Sequence, residues 1–219
     1  MKDQIELVLD YPARLVSLLK NGEIDIGLVP VGALPGLGEY HIVSDYCIGS
    51  DGEVASVAVF SEVPMEKIET VYLDYQSRTS VLLCKLLFEK HWNKKVIFIE
   101  AQDEGYIDQI RGTCAGLIIG DRALMNRSRF PFVYDLGLGW KEMTSLPFVF
   151  AVWVSKSNID PCIVDSLIRI DTTNIQNIKN VEDHIKISGF DPLHYFTVNI
   201  RYGLTDPMRK AIDLFLSYI

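Results

Sequence analysis

A chain of 219 residues, 48% hydrophobic and 23% charged, holds enough apolar mass for one large domain or two small lobes with cores of their own. Its 29 acidic residues against 21 basic ones give a formal net charge of −8, which repels nucleic acid and anionic membrane at long range. No run of about 18 apolar residues could span a bilayer and Met1-Lys2-Asp3-Gln4 opens no signal peptide, so a cytoplasmic protein with neither nucleic-acid nor membrane partners is expected.

Along the chain, strand and helix patterns alternate. Ile5 to Leu9 alternates apolar with acidic residues, which predicts a strand. Pro12 suits a first helical turn, Leu15, Val16, Leu18 and Leu19 supply one apolar face, and Gly22 ends that helix. Ile24 to Val29 reads as a buried strand and leads into the turn-rich segment Pro30 to Gly38. Further strands are predicted at His41 to Cys47, Val54 to Phe60, Thr70 to Leu73, Val96 to Ile99, Ala115 to Ile119 and Phe148 to Val154. Helices are predicted at Thr79 to His91, Glu104 to Arg111, Asp121 to Met125, Pro161 to Ile170, Ile175 to Ile187, Pro192 to Val198 and Pro207 to Ile219.

This alternation argues an α/β protein with largely parallel sheets, whereas the last third, from Asp160, carries helical signals only. Two lobes account for that order: residues 1–62 plus 150–219 form the first and 63–149 the second. The chain would cross at Ser61-Glu62-Val63-Pro64 and return through Phe148 to Trp153. Ligands of such sheets bind beyond the carboxyl ends of the strands, so facing lobes share one cleft.

Cys47, Cys84, Cys114 and Cys162 lie far apart in apolar contexts, without the paired spacing of a zinc site or redox couple, and read as reduced core residues. The histidines His41, His91, His184 and His194 are equally scattered. Gly36-Leu37-Gly38 and Gly137-Leu138-Gly139 are isolated pairs and not a phosphate loop. Neither metal nor cofactor is expected.

Four stretches carry the chemical signal: Asp51-Gly52-Glu53-Val54-Ala55-Ser56, Leu73-Asp74-Tyr75-Gln76-Ser77-Arg78-Thr79-Ser80, Ile119-Gly120-Asp121-Arg122-Ala123-Leu124, and Leu146-Pro147-Phe148-Val149-Phe150-Ala151-Val152-Trp153. In the second, a strand runs into hydroxyls at the start of a helix, where free backbone N–H groups and Ser or Thr side chains can hold a carboxylate or phosphate. One hydroxyl suffices for a cap, and three are present in Ser77, Thr79 and Ser80. Arg78 either binds an anion or pairs with a carboxylate such as Asp74. Ser56 is either a strand-start serine satisfying its own backbone or a donor to a ligand. Asp121 either caps its short helix or fixes the cleft wall. Trp140 and Trp153 could stack on a ligand, although core packing is the commoner fate of such rings.

In this order and spacing the four stretches resemble the chorismate dehydratases of the futalosine route to menaquinone. The resemblance implies a two-lobed type II periplasmic-binding-protein fold used as a carbon–oxygen hydro-lyase on a small dicarboxylate, chorismate. It implies Ser56 as the serine contacting the substrate carboxylate. Thr79 and Ser80, with their adjoining amides, would bind a carboxylate, Ser77 would act as cap or second contact, and Pro147 and Phe148 would line the apolar side of the cleft. It also implies a strand and an Asn-bearing turn ahead of Met1, so Met1 is expected to be internal or its start misassigned by roughly 20 residues. A dihydroxynaphthoate synthase of the same pathway, which should carry a His base, and a non-catalytic solute-binding protein for small anions are the competing readings.

Overall fold

The computed structural model describes residues 5–178 and 190–219. Pro12 in the first turn and Gly22 in the left-handed region at φ 73° bracket α1 (Pro12–Asn21), and Leu18 and Leu19 are buried beneath it. The chain continues through β1 (Ile26–Pro30), a 3-10 turn (Val31–Leu37) and β2 (His41–Ser50). After the connection Asp51 to Ser56 come β3 (Val57–Ser61), β4 (Thr70–Leu73), α2 (Arg78–Lys90) and β5 (Ile97–Glu100). A 3-10 turn (Glu104–Gln109), β6 (Cys114–Ile119), α3 (Asp121–Asn126), β7 (Phe132–Asp135) and α4 (Leu136–Thr144) follow. The return strand is β8 (Phe148–Ser155), succeeded by α5 (Pro161–Gln176), α6 (Pro192–His194), a π turn (Tyr195–Asn199), β9 (Arg201–Gly203) and α7 (Asp206–Leu216).

Two sheets result. The first has the order β1-β8-β2-β9 and is antiparallel throughout. The second, β5-β4-β6-β3-β7, is parallel across β5, β4 and β6 and antiparallel where β3 meets β6 and β7. Parallel pairing is thus confined to three strands, against the expectation of largely parallel sheets, because the long β8 returns between β1 and β2 in the opposite sense. The crossings follow from the pairing: β3 belongs to the second sheet, so the chain leaves the first sheet at 51–56, earlier than Ser61 to Pro64.

Other elements depart from the sequence expectation. Ile5 to Leu9 forms no strand among the described residues, and Leu7 and Leu9 are exposed. β3 begins at Val57 because Ala55 sits at φ 64° and turns the backbone out of strand geometry. The Glu104 to Arg111 helix is a 3-10 turn, and the Pro161 helix runs unbroken to Gln176. The rest of the helix expected at Ile175 to Ile187 lies outside the described residues beyond 178. β7, α4 and the short β9 had no assigned signal, and β9 breaks the all-helical reading of the last third. Among the thiols, Cys47 and Cys84 are buried and pushed up by desolvation, Cys47 to about 12, but Cys114 is half-buried and Cys162 is exposed on the first turn of α5.

β3 is buried at every position, with Val57 and Val59 facing one apolar cluster and Ala58 and Phe60 another. It therefore reads as a continuous apolar run and not as an alternation. The larger cluster joins both sheets, from Leu19 and Val29 through Val71 and Leu83 to Trp140, Phe148 and Phe215. At its centre the rings of Trp140, Phe148, Phe150 and Phe215 meet edge to face, with Phe148 and Phe215 centroids 5.1 Å apart. No helix among the described residues is long and apolar enough to cross a membrane.

Candidate functional site

The connection from β2 to β3 is shaped by one carboxylate. Asp135, buried at the end of β7, accepts hydrogen bonds from the backbone N–H groups of Val54 (3.0 Å) and Ala55 (2.8 Å), and caps α4 through Leu138 (3.0 Å). Burial pushes its carboxyl above the ordinary value, and those three N–H bonds with the Arg127 charge oppose the shift. Gly137 completes the seat: a Cβ there would lie 2.6 Å from the Gly52 carbonyl oxygen, so α4 can press on the loop only because this residue has no side chain. Arg127 pairs with Glu53 and donates to the Ala55 carbonyl at 3.0 Å, while Lys141 pairs with Asp51 at 2.7 Å.

This loop delivers Ser56, whose residue is 5% exposed. Its carbonyl accepts the Gly120 N–H at 2.7 Å, and its Oγ accepts the hydroxyl of Tyr195 at 2.9 Å. Tyr195 comes from the π turn in the last part of the chain. Its phenol is pushed up by burial and by the nearby Asp121 charge, with the bond to Ser56 acting in the opposite direction.

The second stretch leaves β4 through a buried Asp74. One of its oxygens accepts from Tyr106 Oη (2.8 Å) and Arg122 Nη2 (2.7 Å), and the other accepts from the Gln76 N–H at 2.8 Å. Burial dominates here too and raises the Asp74 carboxyl, against the Gln76, Tyr106 and Arg122 contacts. Arg122 also donates to Gln76 Oε1 at 2.9 Å and lies over the Tyr75 ring at 5.3 Å, and its buried Nη1 has no hydrogen-bond partner among the described residues. The sequence offered Arg78 as a partner of Asp74; Arg122 takes that position and Arg78 is exposed.

Ser77 caps α2, its Oγ accepting the Ser80 N–H at 3.2 Å and lying 2.9 Å from Ser80 Oγ. Thr79 is committed elsewhere: Thr79 Oγ1 accepts the Gly32 N–H at 2.9 Å and donates to the Phe150 carbonyl at 3.4 Å, tying α2 to the first sheet. Both Thr79 and Ser80 are buried. Asp121 opens α3 without a capping bond and is exposed. Pro147 and Phe148 are buried: the Pro147 carbonyl accepts Trp140 Nε1–H at 3.0 Å, and the Phe148 ring lies among aromatic neighbours. Trp140 is fully buried with them.

Contacts thus link all four stretches. The first meets the third through Gly120 and Ser56, the third meets the second through Arg122, Asp74 and Gln76, and the second meets the fourth through Thr79 and Phe150. They gather where β4 and β6 end and β3 begins. A cavity of about 420 Å³ lies elsewhere, lined by His41, Asp45, Ser157, Val164, Ile168 and Arg209, and includes none of these residues. Sequence reasoning missed Asp135, Tyr195 and Asn199. An Asp ahead of Leu136-Gly137 is a capping signal that could have revealed Asp135, whereas nothing local marks Tyr195.

The chain is similar to known proteins in sequence and in fold. The chain is 28% identical over 232 residues to a chorismate dehydratase from Thermus thermophilus, covering 93% of this chain and 83% of the relative. Among solved structures it resembles protein AF1704 from Archaeoglobus fulgidus, with a TM-score of 0.75 at 16% identity over 98% of this chain and 85% of the other. It also resembles the periplasmic aliphatic sulphonate binding protein SsuA from Escherichia coli, with a TM-score of 0.58 at 13% identity over 94% and 79% of the two chains. These likenesses show a two-lobed α/β fold like that of periplasmic binding proteins. A family model described as menaquinone biosynthesis matches residues 1–219, and the chain belongs to that family.

Proposed function

We propose that this chain is a chorismate dehydratase, a hydro-lyase that removes water from chorismate to give an aromatic enolpyruvyl benzoate. The reaction loses the ring hydroxyl and a neighbouring ring hydrogen. That hydrogen is vinylogous to the ring carboxylate, so charge from deprotonation flows into the carboxylate and preorganised donors there lower the barrier. The proton passes to the substrate's own enolpyruvyl carboxylate, and the protein supplies orientation and donors instead of a strong base.

Ser56 is the donor to the ring carboxylate in this reading, and Ser77 and Ser80 with the first amides of α2 hold a carboxylate. Thr79, whose hydroxyl already bridges Gly32 and Phe150, contributes by fixing α2. Arg78 adds positive charge at the helix start, and Asp121, whose charge is felt by the Tyr195 phenol, orients the leaving hydroxyl. The observation that carries the proposal is the meeting of the four stretches at one end of the second sheet with the Ser56 hydroxyl held there by Tyr195. Family membership and the Thermus thermophilus relative support it.

Incubation of the protein with chorismate should produce a new aromatic ultraviolet absorbance with loss of substrate. No conversion, together with measurable binding of aromatic dicarboxylates, would favour the second reading, a small-anion binding protein, to which the likeness to SsuA points.

A further inference from the structure

We infer that the π turn Tyr195–Asn199 is a clamp that orients the Ser56 hydroxyl, with Tyr195 as a positioning residue; this rests on the role proposed for Ser56. A π turn is a disfavoured backbone conformation, found mostly as single turns and often at functional sites. Here it follows directly on α6 and closes with the Ile200 N–H bonded to the Tyr195 carbonyl at 3.0 Å. Its two end residues both grip the 51–56 loop. Tyr195 Oη donates to Ser56 Oγ at 2.9 Å, and the buried Asn199 Nδ2 donates to the Glu53 carbonyl at 3.0 Å.

The direction of the Tyr195 bond matters. A hydroxyl has one proton and two lone pairs, and a phenol is the stronger donor of the two partners. With one Ser56 lone pair occupied by the Tyr195 proton, the Ser56 proton is free to point at a ligand oxygen. Polarisation along such a chain strengthens the second bond. The Tyr195 ring is itself held by Phe190 and Phe196, at centroid distances of 5.4 and 5.0 Å, so its hydroxyl is aimed by packing. No charge change is required of Tyr195 at any step.

A double-mutant cycle tests the clamp. Tyr195→Phe removes one oxygen and keeps the ring; it should lower kcat on chorismate about tenfold with KM within about twofold, as loss of an interaction made in the transition state does. In a Ser56→Ala background the same change should have no further effect, because Tyr195 acts only through Ser56. Additive losses would overturn the proposal. Asn199→Ala, which opens the other end, should also be non-additive with Ser56→Ala and keeps the test decisive should Tyr195→Phe fail to fold. Hydrogen exchange of amides 52–56 supplies a readout independent of substrate: either clamp variant should speed it about tenfold, and unchanged exchange would sink the clamp. An inactive but normally folded wild type would instead defeat the dehydratase reading, while the exchange measurement still decides the clamp.

Discussion

Ser56 is held at three points, through its own N–H to Val54, its carbonyl from Gly120 and its Oγ from Tyr195, so its hydroxyl is a fixed donor in a site largely closed to water. Ser56→Ala should therefore reduce turnover at least about tenfold, as removal of an oxyanion donor does. Only one hydroxyl contact is lost, and it is to the half-buried Tyr195, so the melting temperature should move by no more than about 4 °C. Unchanged turnover would remove Ser56 from the site. Asp135 governs the same loop through stability. Its carboxyl is raised above 3.8 chiefly by burial, so the folded protein takes up that proton more readily than the unfolded chain. A raised group contributes its full share below the unfolded value and loses it as pH rises through the folded one. The stability gap between wild type and Asp135→Asn should accordingly be widest near pH 3.5 and narrow towards pH 7, in urea midpoints taken across that range. A gap that widens with pH would show instead that the three N–H bonds outweigh burial.

At the scale of elements, α2 does two jobs at one end. Ser77 caps it, and Thr79 bonds it to Gly32 in the turn after β1 and to Phe150 in β8 of the first sheet. The approach is close: a Cβ on Gly32 would lie 3.0 Å from the Thr79 Cα and from Leu82 Cδ1. Thr79→Val keeps the shape but strips a partner from the buried Gly32 N–H, a loss of about 1–3 kcal/mol. The melting temperature should fall by several degrees, and Thr79→Ser should restore it. An unaltered melting temperature with a raised KM would return Thr79 to the role the sequence suggested, a direct substrate contact. Helix starts were legible because capping is local chemistry: Pro12, Ser77 and Pro161 each stand where a helix begins. Ile5 to Leu9 shows the converse, since its alternation is a strand pattern and a strand needs a neighbour to bond.

Across the whole molecule, one apolar cluster spans both sheets while the stretches meet at one end of the central strands of the second. A ligand that bridges Ser56 and the start of α2 would add a further link between parts of the chain distant in sequence. Aromatic dicarboxylates should therefore raise the melting temperature by linkage, by about 2.7 kcal/mol of stability at a hundredfold excess over Kd. Scanning calorimetry showing no shift with any of them would count against the site. The amino-acid order alone specified the β4 strand, the α2 start and the two-lobed α/β class, and it narrowed the cap of α2 to Ser77, Thr79 or Ser80, because spacing and capping act over a few residues. Folding settled which groups meet across long separations: Arg122 and not Arg78 on Asp74, Asp135 beneath the Ser56 loop, Thr79 turned into a tether, and Tyr195 brought to Ser56 from 139 positions away. Those pairings depend on how β3 inserts between β6 and β7 and how the π turn ends, and no local pattern encodes either.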